Sequence, residues 1–367
     1  MPHVAIYITG HGFGHATRMA ALASALAEQA PGLRLSIVST VPDWLFRLNR
    51  SAPVSLRARA LDVGAVQVDA IRLDEAATLA AYAAIEARKA PLVVEEATWL
   101  RAEGVDLVVA DIPPAAFPAA RRAGLPSVGI SNFSWDWIYA EYVRRFPTYA
   151  GLIPAIRSDY GAADLFLRLP FHGPCDAFPV VRDIPMIARR ARRSRKEVRR
   201  SLGLNGGRPV VLLSFGGFDL HGLDFTRIAE LDEFLFLTTQ PPPRPLDNVR
   251  VVPVGQLPYE ELVAQADIVL TKPGYGIVSD CLANGTRLLY TARGEFAEYA
   301  CLTEGLAQFG VAAEIGVQDL LNGNWARSLR ALLERPAPEP HLPVNGAEVA
   351  AEIVLDWVAR SERTARP

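Results

Sequence analysis

The stretch YITGHGFGHATR, residues 7–18, combines a glycine-rich turn with a candidate base. Gly10, Gly12 and Gly14 follow a short apolar run and would let a ligand approach the backbone closely. His15 then stands at the start of an alanine-rich helix, where the helix dipole disfavours a protonated imidazole. Because a neutral histidine can accept a hydroxyl proton, His15 is a candidate general base. The alternative is that it only caps the turn.

The spacing of these glycines does not fit a dinucleotide-binding turn. It is G-x-G-x-G instead of G-x-G-x-x-G, and His15 occupies the place of the third glycine. The following apolar run, SIVST, also ends without the acidic residue that binds a ribose. We therefore expect no nicotinamide or flavin cofactor, and no other cofactor. The loop instead offers Gly14 and Arg18 to an anionic donor, and His11 and Phe13 to an acceptor.

A carboxylate stands at the end of another apolar run, VDLVVAD, which is typical of a buried parallel strand. The carboxyl ends of parallel strands share one edge of a sheet, so this residue, Asp111, should lie near the loop of His15. There it would hold the histidine in one tautomer and stabilise its charged form. The competing interpretation is an N-cap for the next helix, and both roles can coexist.

The segment SNFSWDWIYAEY places four aromatic residues within eight positions. Aromatic faces suit a sugar or another flat, partly apolar acceptor, which makes Trp135 and Trp137 candidate acceptor-binding residues. A core helix with aromatic side chains would show the same pattern, so both interpretations stay open.

The second half of the chain carries features of an anion site. LLSFGGFD ends an apolar run at Gly216 and Gly217, whose bare backbone amides could approach a diphosphate. In LTKPGYGIVSD a strand ends beside Lys272 and a helix begins, so that a lysine and free helix amides would share one phosphate site. Asp280, in the same helix, could accept a hydrogen bond from a ribose diol. The helix amides are those of Gly274, Tyr275 and Gly276.

The loop after the next apolar run, YTARGEFAEYA, adds Arg293 and Glu295 at the same edge. Glu295 is placed to bind sugar hydroxyls. One such loop is a weak signal, but several on one edge indicate a nucleotide-sugar site. No Asp-x-Asp pair occurs near a strand end, so we expect no obligatory metal ion.

Apolar runs alternate with helical segments along the whole chain, as in doubly wound α/β domains. The alternation restarts after residue 200, which predicts two Rossmann-like domains that face each other across a cleft. We place an acceptor domain at 1–175 and a donor domain at 176–340. The Pro-rich stretch ERPAPEPHLP precedes a last helix within 341–367, which could pack back on the N-terminal domain.

The composition is that of a soluble globular protein, with 50% hydrophobic and 21% charged residues and a net charge of −2. A balance so close to neutral gives no reason to expect a nucleic-acid partner. No apolar run is long enough to span a membrane, and no secretory signal is visible. Three widely spaced cysteines fit a reducing compartment, so we expect a cytoplasmic protein.

The run RRARRSRKEVRR, Arg189–Arg200, contains eight Arg or Lys residues and one Glu. Ser194 and Glu197 have the spacing of a capping box, which predicts that a helix starts there. One interpretation is peripheral contact with an anionic membrane or an acidic partner. Because the run lacks apolar side chains that would insert, a solvated helix face is favoured instead.

These loops resemble the GT-B glycosyltransferases, and the second half is similar to the donor-binding half of UDP-sugar transferases. In that signature a glycine-aromatic turn opens a helix, an acidic residue follows, and a later acidic-polar pair touches the sugar. Here Gly274–Tyr275, Asp280 and Glu295 occupy those places. Phe296 stands where the family usually has glutamine, which leaves the sugar open.

The same resemblance implies further roles. VGQLPYEEL resembles the segment whose backbone reads the base, which would place Gln256 and Leu257 against the nucleobase. Lys272 stands where plant enzymes usually have histidine or threonine. In the N-terminal half, the family's catalytic histidine and its aspartate partner correspond to His15 and Asp111.

Five segments resemble, more narrowly, the glycosyltransferase-like N-terminal region of plant L-arabinokinases and its stand-alone bacterial relatives. They are YITGHGFGHATR, SNFSWDWIYAEY, RRSRKEVRRSLGL, SFGG and KPGYGIVSD. The resemblance covers nearly the whole chain. It does not imply kinase activity, because the chain has no Pro-x-x-x-Gly-Leu-x-Ser-Ser loop and ends before an ATP-binding kinase domain.

The residues and the resemblance together predict inverting transfer of a sugar from a nucleoside diphosphate sugar to an unknown acceptor. A UDP-sugar is the expected donor. Two alternatives use the same residues: a nucleotide-sugar hydrolase, in which the loop activates water, and a non-catalytic sensor. An open acceptor pocket around Trp135 would favour transfer, and a closed one would favour hydrolysis.

Overall fold

The structure is a computed structural model that describes residues 1–10, 12–49, 53–69, 72–204, 206–215, 222–292, 294, 296–336 and 342–365. The chain separates into two compact units. Unit 1 comprises Met1–Val66, Asp74–Ile187 and Val344–Pro367. Unit 2 comprises Gln67–Leu73 and Ala188–Pro343.

Strands and helices alternate through the first part of unit 1. Apolar runs form the strands, because the helices that separate them cover both faces of a parallel sheet. The strands are β1 (His3–Ile8), β2 (Arg34–Val38), β3 (Ser55–Arg57), β4 (Leu107–Asp111), β5 (Ser127–Ser131), β6 (Leu165–Arg168) and β7 (Val181–Asp183). The helices are α1 (Gly12–Gln29), α2 (Asp43–Asn49), α3 (Glu75–Glu86), α4 (Lys89–Ala102), α5 (Ala116–Ala123), α6 (Trp135–Arg145) and α7 (Leu152–Tyr160), with a 3₁₀ turn at Pro147–Tyr149.

The seven strands of unit 1 form one parallel sheet in the order β3-β2-β1-β4-β5-β6-β7. The order reverses between β1 and β4, which makes these two strands the switch point where such sheets bind ligands. Every residue of both strands is buried. In the register of the pair, Ile8 lies opposite Asp111, so the aspartate is level with the start of the glycine-rich loop.

Unit 2 repeats the pattern with a second parallel sheet. Its strands are β8 (Val210–Ser214), β9 (Leu235–Thr238), β10 (Val249–Val251), β11 (Ile268–Thr271), β12 (Arg287–Thr291) and β13 (Ala312–Ile315), in the order β10-β9-β8-β11-β12-β13. Its helices are α8 (Arg195–Ser201), α9 (Phe225–Ala229), α10 (Tyr259–Gln265), α11 (Tyr275–Asn284), α12 (Glu298–Ala307), α13 (Val317–Leu321) and α14 (Ala326–Leu333). The switch point is between β8 and β11. The predicted fold class, two Rossmann-like domains, is confirmed.

The division between the units differs from the expected one. Residues 176–187 belong to unit 1, because β7 pairs with β6 as the last strand of its sheet. The chain returns to unit 1 with helix α15 (Gly346–Ala365), which packs against α1. Two hydrogen bonds tie its start to unit 1: the Gly346 amide donates to the Met186 carbonyl at 2.9 Å, and Gln29 donates to the Glu348 carbonyl at 3.2 Å.

Candidate active site

His15 and Asp111 meet at the switch point of unit 1. His15 lies in the first turn of α1, and Asp111 is the last residue of β4. The Nδ1 atom of His15 lies 2.8 Å from Oδ1 of Asp111, and both side chains are buried. With its Nδ1 proton donated to the carboxylate, the ring keeps the lone pair on Nε2, the atom that could accept a proton.

Arg18 is the third member of this cluster, and its contacts argue against the prediction that it binds the donor. Its Nε donates to Asp111 Oδ2 at 2.6 Å, and its terminal nitrogens donate to Ser131 Oγ at 2.8 Å and Asn132 Oδ1 at 3.0 Å. The residue is only 4% exposed. A guanidinium used in this way holds Asp111 in place and has little left for a phosphate.

The cluster keeps the Asp111 carboxylate ionised. Burial alone would raise the pKa of Asp111, but the charges and hydrogen bonds of Arg18 and His15 outweigh burial and hold it below its usual range. An Arg18 nitrogen also lies 2.8 Å from His15 Nδ1. A single Nδ1 atom cannot donate to the carboxylate and accept from Arg18 together, so the anionic oxygen is the partner of the Nδ1 proton.

The sequence did not reveal Ser131 and Asn132 as part of this site. Both are fully buried and hold the Arg18 side chain from the end of β5. The sequence did contain an indication of their position, because Ser131 and Asn132 stand at the end of an apolar run, as Asp111 does. The Phe133 ring, the next residue, meets the His15 ring edge-on with centroids 5.5 Å apart.

The structure explains two glycines of the glycine-rich loop, one by the space around it and one by its backbone conformation. A Cβ on Gly10 would lie 2.3 Å from Thr40 Oγ1, so any larger residue there would require the threonine side chain to shift. Gly12 has a φ of +68°, a left-handed conformation that favours glycine. Gly14 follows in the first turn of α1 and is half-buried. His11 lies outside the described residues.

Phe13, a predicted acceptor-binding residue, is half-buried and packs edge-to-face on Trp44, with centroids 5.6 Å apart. Trp44, at the start of α2, is 36% exposed, which is unusual for so large an apolar side chain. Trp44 is not among the residues predicted from the sequence. An isolated tryptophan followed by leucine and phenylalanine gives no signal for exposure.

The aromatic segment is mainly core. Trp135 has no exposed surface, and its indole Nε1–H donates to Asp62 Oδ2 at 3.0 Å. Tyr139 and Tyr142 are also fully buried. This burial argues against the prediction that Trp135 binds the acceptor, because its ring offers no face to a ligand. Trp137 stays partly exposed, and its ring lies over Gly173.

The switch point of unit 2 presents a lysine beside a helix N-terminus. Lys272 directly follows β11, and its Nζ donates to Gln67 Oε1 at 3.1 Å. Gly274 is the N-cap residue of α11. Because glycine has no side chain, it cannot accept hydrogen bonds from the first backbone amides of the helix, such as those of Tyr275 and Gly276. The Tyr275 side chain is buried, which leaves only its backbone for a ligand.

Asp280, predicted to bind a ribose, is hydrogen-bonded to Arg189 instead. It is 2% exposed, and it accepts hydrogen bonds from the Arg189 backbone amide at 2.9 Å, from Arg189 Nε at 3.2 Å and from a terminal nitrogen of the same arginine. Asn284, one turn later in α11, accepts from the Ala191 amide at 2.9 Å. Asp280 thus holds the chain segment that enters unit 2, which argues against the predicted contact with a ribose.

The remaining predicted donor residues are only partly described. Gln256 is exposed and Leu257 is half-buried, in the turn that follows β10. The Gln256 amide donates to the Pro253 carbonyl at 3.0 Å. The other four lie outside the described residues: Gly216, Gly217, Arg293 and Glu295.

The basic segment is partly neutralised within unit 2. The predicted capping box of Ser194 and Glu197 is confirmed and starts α8. Arg195 and Arg199 both pair with Asp267, at 2.7 and 2.9 Å. These pairs fasten α8 to the rest of its unit, as expected for a solvated helix. In the described part of the chain, no helix is long and apolar enough to cross a membrane.

Two Rossmann-like domains, each built on a parallel sheet, are the architecture of the GT-B glycosyltransferases. The kitacinnamycin glycosyltransferase superposes with a TM-score of 0.64 at 17% identity, covering 97% of this chain and 99% of that one. The calicheamicin glycosyltransferase CalG4 gives 0.61 at 18%, covering 100% of both chains. Phytolacca americana UGT2 with UDP-2-fluoro-glucose and pterostilbene gives 0.61 at 15%, covering 100% of this chain and 96% of that one. At such identities the likeness shows the fold alone.

A curated relative is much more similar in sequence. The chain is 35% identical over 362 residues to L-arabinokinase of Arabidopsis thaliana. The match covers 96% of this chain but 34% of the relative, so the chain spans about a third of the length of the curated relative it matches. No protein-family model matches the chain.

Proposed function

We propose that the protein is an inverting glycosyltransferase that moves a sugar from a nucleoside diphosphate sugar, with a UDP-sugar as the expected donor, to a hydroxyl acceptor. The observation that carries this proposal is the buried cluster of His15, Asp111 and Arg18 at the switch point of unit 1. It presents one histidine nitrogen with a lone pair and a fixed carboxylate behind the ring. The GT-B fold supports the same activity.

The proposed reaction is a single displacement. His15 Nε2 takes the proton of the acceptor hydroxyl while the acceptor oxygen bonds to the anomeric carbon. The bond between that carbon and the diphosphate oxygen breaks, so the configuration inverts. Asp111 then stabilises the imidazolium, because its ionised carboxylate accepts the Nδ1 proton.

The groups proposed for the leaving diphosphate belong to unit 2. Lys272 and the α11 amides near Gly274 would neutralise the charge that develops on the leaving oxygen. They supply positive charge without a metal ion, so the proposed reaction is metal-independent. The same proposal assigns Gly216, Gly217, Arg293 and Glu295 to the diphosphate and the sugar, and Gln256 and Leu257 to the base. The UDP-2-fluoro-glucose of the UGT2 complex is the reason to test a UDP-sugar first.

A direct test begins with binding. Calorimetric titration with UDP, dTDP, GDP and ADP, on wild type and Lys272→Gln, should show one preferred diphosphate whose affinity falls in the variant. The matching nucleotide-sugars, including UDP-L-arabinose because of the relative's name, are then assayed for sugar release with wild type and His15→Ala. Release that depends on His15 supports its role as the base, and the fate of the sugar then separates transfer from hydrolysis. If no diphosphate binds, the donor assignment is wrong.

One observation favours a second candidate, a nucleotide-sugar hydrolase. Trp135, Tyr139 and Tyr142 are fully buried, so three of the four aromatic side chains of the predicted acceptor segment offer no face to a sugar, and Trp137 is partly exposed. Water would then take the place of the acceptor, with the same base. Product analysis in ¹⁸O-labelled water decides between the two, because hydrolysis places the label in the free sugar and transfer does not.

A further inference from the structure

A short hairpin, Gln67–Leu73, belongs to unit 2 although it lies far from the rest of that unit in the sequence. Gln67 and Leu73 pair as an isolated antiparallel bridge at its base. Between them, the Arg72 amide and the Arg72 Nε donate to the two carboxylate oxygens of Asp69, both at 2.7 Å. These bonds fix the backbone around Gln67, so its side chain extends from a defined position.

Apolar packing does not explain where this hairpin lies. Of its described residues, none is fully buried, and Val68 is 58% exposed. The Gln67 side chain is half-buried, and its Oε1 accepts a hydrogen bond from Lys272 Nζ at 3.1 Å. Because Lys272 directly follows β11 at the switch point of unit 2, Gln67 lies at the edge where open α/β sheets bind ligands.

The ammonium group of Lys272 determines how the Gln67 amide is oriented. An ammonium has only donors, so the amide must present its oxygen to it and direct its NH₂ group elsewhere. Within the part of the chain that the structure describes, that nitrogen makes no hydrogen bond. The two side chains therefore offer a positive charge and two further N–H donors next to each other. This combination suits the oxygens of a phosphate or diphosphate.

A neutral partner has a different effect on a cation from a carboxylate. Elsewhere in unit 2, Arg189 bonds the Asp280 carboxylate, which cancels the charge of the arginine. The Gln67 oxygen orients the Lys272 ammonium but does not cancel its charge. Helix α11 begins three residues after Lys272, so its N-terminal amides add to the attraction for an anion.

We propose that Gln67 is a binding residue of the diphosphate site: its amide oxygen holds the Lys272 ammonium in position, and its NH₂ group donates to a diphosphate oxygen. The inference rests on the proposed function, in which Lys272 and the α11 amides receive the leaving diphosphate. It adds a residue that no motif of the sequence marks, because Gln67 precedes Lys272 by 205 positions.

The first test replaces Gln67 by an acid of nearly the same shape. In Gln67→Glu the carboxylate would pair with Lys272 and repel a diphosphate. Calorimetric titration with inorganic pyrophosphate, and with UDP, dTDP, GDP and ADP, should show binding about tenfold weaker than in wild type, since one unit of charge at the site has changed. Equal affinities in wild type and Gln67→Glu would overturn the proposal. A wild type that binds none of these anions would overturn it as well.

Gln308→Glu is the matched control. Gln308 is exposed and lies between α12 and β13, where the chain enters the amino end of the sheet. The variant therefore adds the same charge to unit 2 at the edge opposite Lys272. Its affinity for pyrophosphate should equal that of wild type. A loss as large as that of Gln67→Glu would mean that the net charge of the unit sets the affinity, and would contradict the assignment.

A double-mutant cycle tests whether Gln67 acts through Lys272. Gln67→Ala should weaken pyrophosphate binding about threefold to tenfold in the wild-type background, the usual effect of one hydrogen bond. In the Lys272→Gln background the loss should be smaller, because no ammonium is left to orient. Equal losses in both backgrounds would contradict the orienting role. If Gln67→Ala does not fold, Gln67→Glu still decides whether the residue belongs to the site.

Turnover separates this inference from the proposed function. If pyrophosphate binding depends on Gln67 but no nucleotide-sugar is turned over in a way that depends on His15, the anion site is supported and the proposed function is wrong. If turnover depends on His15 and the KM for the nucleotide-sugar is the same in wild type and Gln67→Glu, the proposed function is supported and the role of Gln67 is wrong.

Discussion

Each unit of this protein contains a buried aspartate paired with an arginine, but the two pairs have different tasks. In unit 1, Arg18 holds Asp111 from one side and His15 bonds it from the other. In unit 2, Arg189 donates to Asp280 with both its side chain and its backbone amide. The first pair supports a group that can move a proton, and the second fastens a segment of chain.

The difference shows that the role of a buried Asp–Arg ion pair depends on the further group that bonds the aspartate. A carboxylate neutralised by an arginine is inert on its own. Adding His15 gives the first pair a site for a proton, whereas the backbone amide of Arg189 gives the second pair a purely architectural role. Substitutions at the two sites should therefore separate activity from stability.

The largest expected effect is on catalysis at the first site. His15→Ala should lower the rate of nucleotide-sugar turnover by about 10²–10⁴-fold, the usual contribution of a general base. The variant should remain folded, because Arg18 still neutralises Asp111. Steady-state kinetics beside a thermal melt measures both. Wild-type turnover in His15→Ala would remove the basis for the proposed mechanism.

The next effect is on the stability of unit 1. Arg18→Met should reduce the free energy of unfolding by about 3–5 kcal/mol, because it leaves Asp111 buried without a cation. Urea unfolding measures it. The double variant Arg18→Met with Asp111→Asn is the control and should recover part of the loss, since no unpaired charge is left.

Two buried carboxyl groups of unit 1, those of Asp62 and Asp111, should respond to pH in opposite ways. Folded Asp62 keeps its proton up to about pH 7, while the unfolded group loses it near its ordinary value of 3.8, so its contribution to stability falls as pH rises between these values. Asp111, with its lowered pKa, contributes stability that is lost as pH falls. The free energy of unfolding of Asp62→Asn relative to wild type should therefore increase with pH, by at most about 4 kcal/mol. Urea unfolding across this range measures it, and a difference independent of pH would contradict the raised pKa of Asp62.

At the second site, Asp280→Asn should cost about 1–3 kcal/mol of stability, because Arg189 loses a charged acceptor but keeps Glu260 at 3.3 Å. UDP affinity should change little, since the carboxylate is used by Arg189. Urea unfolding and calorimetry give the two numbers. A large loss of affinity in a stable variant would restore Asp280 as a ribose ligand.

The smallest expected change is in the affinity of Lys272→Gln for a nucleoside diphosphate. Lys272 is half-buried and its Nζ donates to a neutral amide, so the free energy of unfolding should change little. The affinity for a nucleoside diphosphate should fall about tenfold, or roughly 1.4 kcal/mol, because one positive charge beside the α11 amides is lost. Calorimetry at one fixed ionic strength measures the difference. An unchanged affinity would place the diphosphate elsewhere.

The fold and the central pair could be predicted from the sequence. Apolar runs separated by helical segments predicted two parallel sheets. The rule that the carboxyl ends of parallel strands share one edge predicted that His15 and Asp111 lie close together, and their side chains are 2.8 Å apart. Such predictions succeed because burial on both faces leaves a continuous apolar signal. The same rule applied to the end of β5 would have found Ser131 and Asn132.

What could not be predicted is which polar or aromatic side chains face inward. Arg18 and Asp280 were assigned to ligands and Trp135 to an acceptor, yet each is buried against a partner far away in sequence. The indole of Trp135 bonds Asp62, 73 residues earlier. Only the folded chain creates such partners, so spacing within one motif carries no trace of them.

The return of α15 to α1 has a consequence for synthesis of the protein on the ribosome. Unit 2 is complete once residues up to 343 have emerged, but unit 1 lacks a helix until residues 346–365 follow. Closure between α1 and α15 joins segments more than 300 residues apart, a slow, high-contact-order step. A nascent chain that stops short of α15 would expose the surface of α1 that this helix covers, a natural binding site for a chaperone.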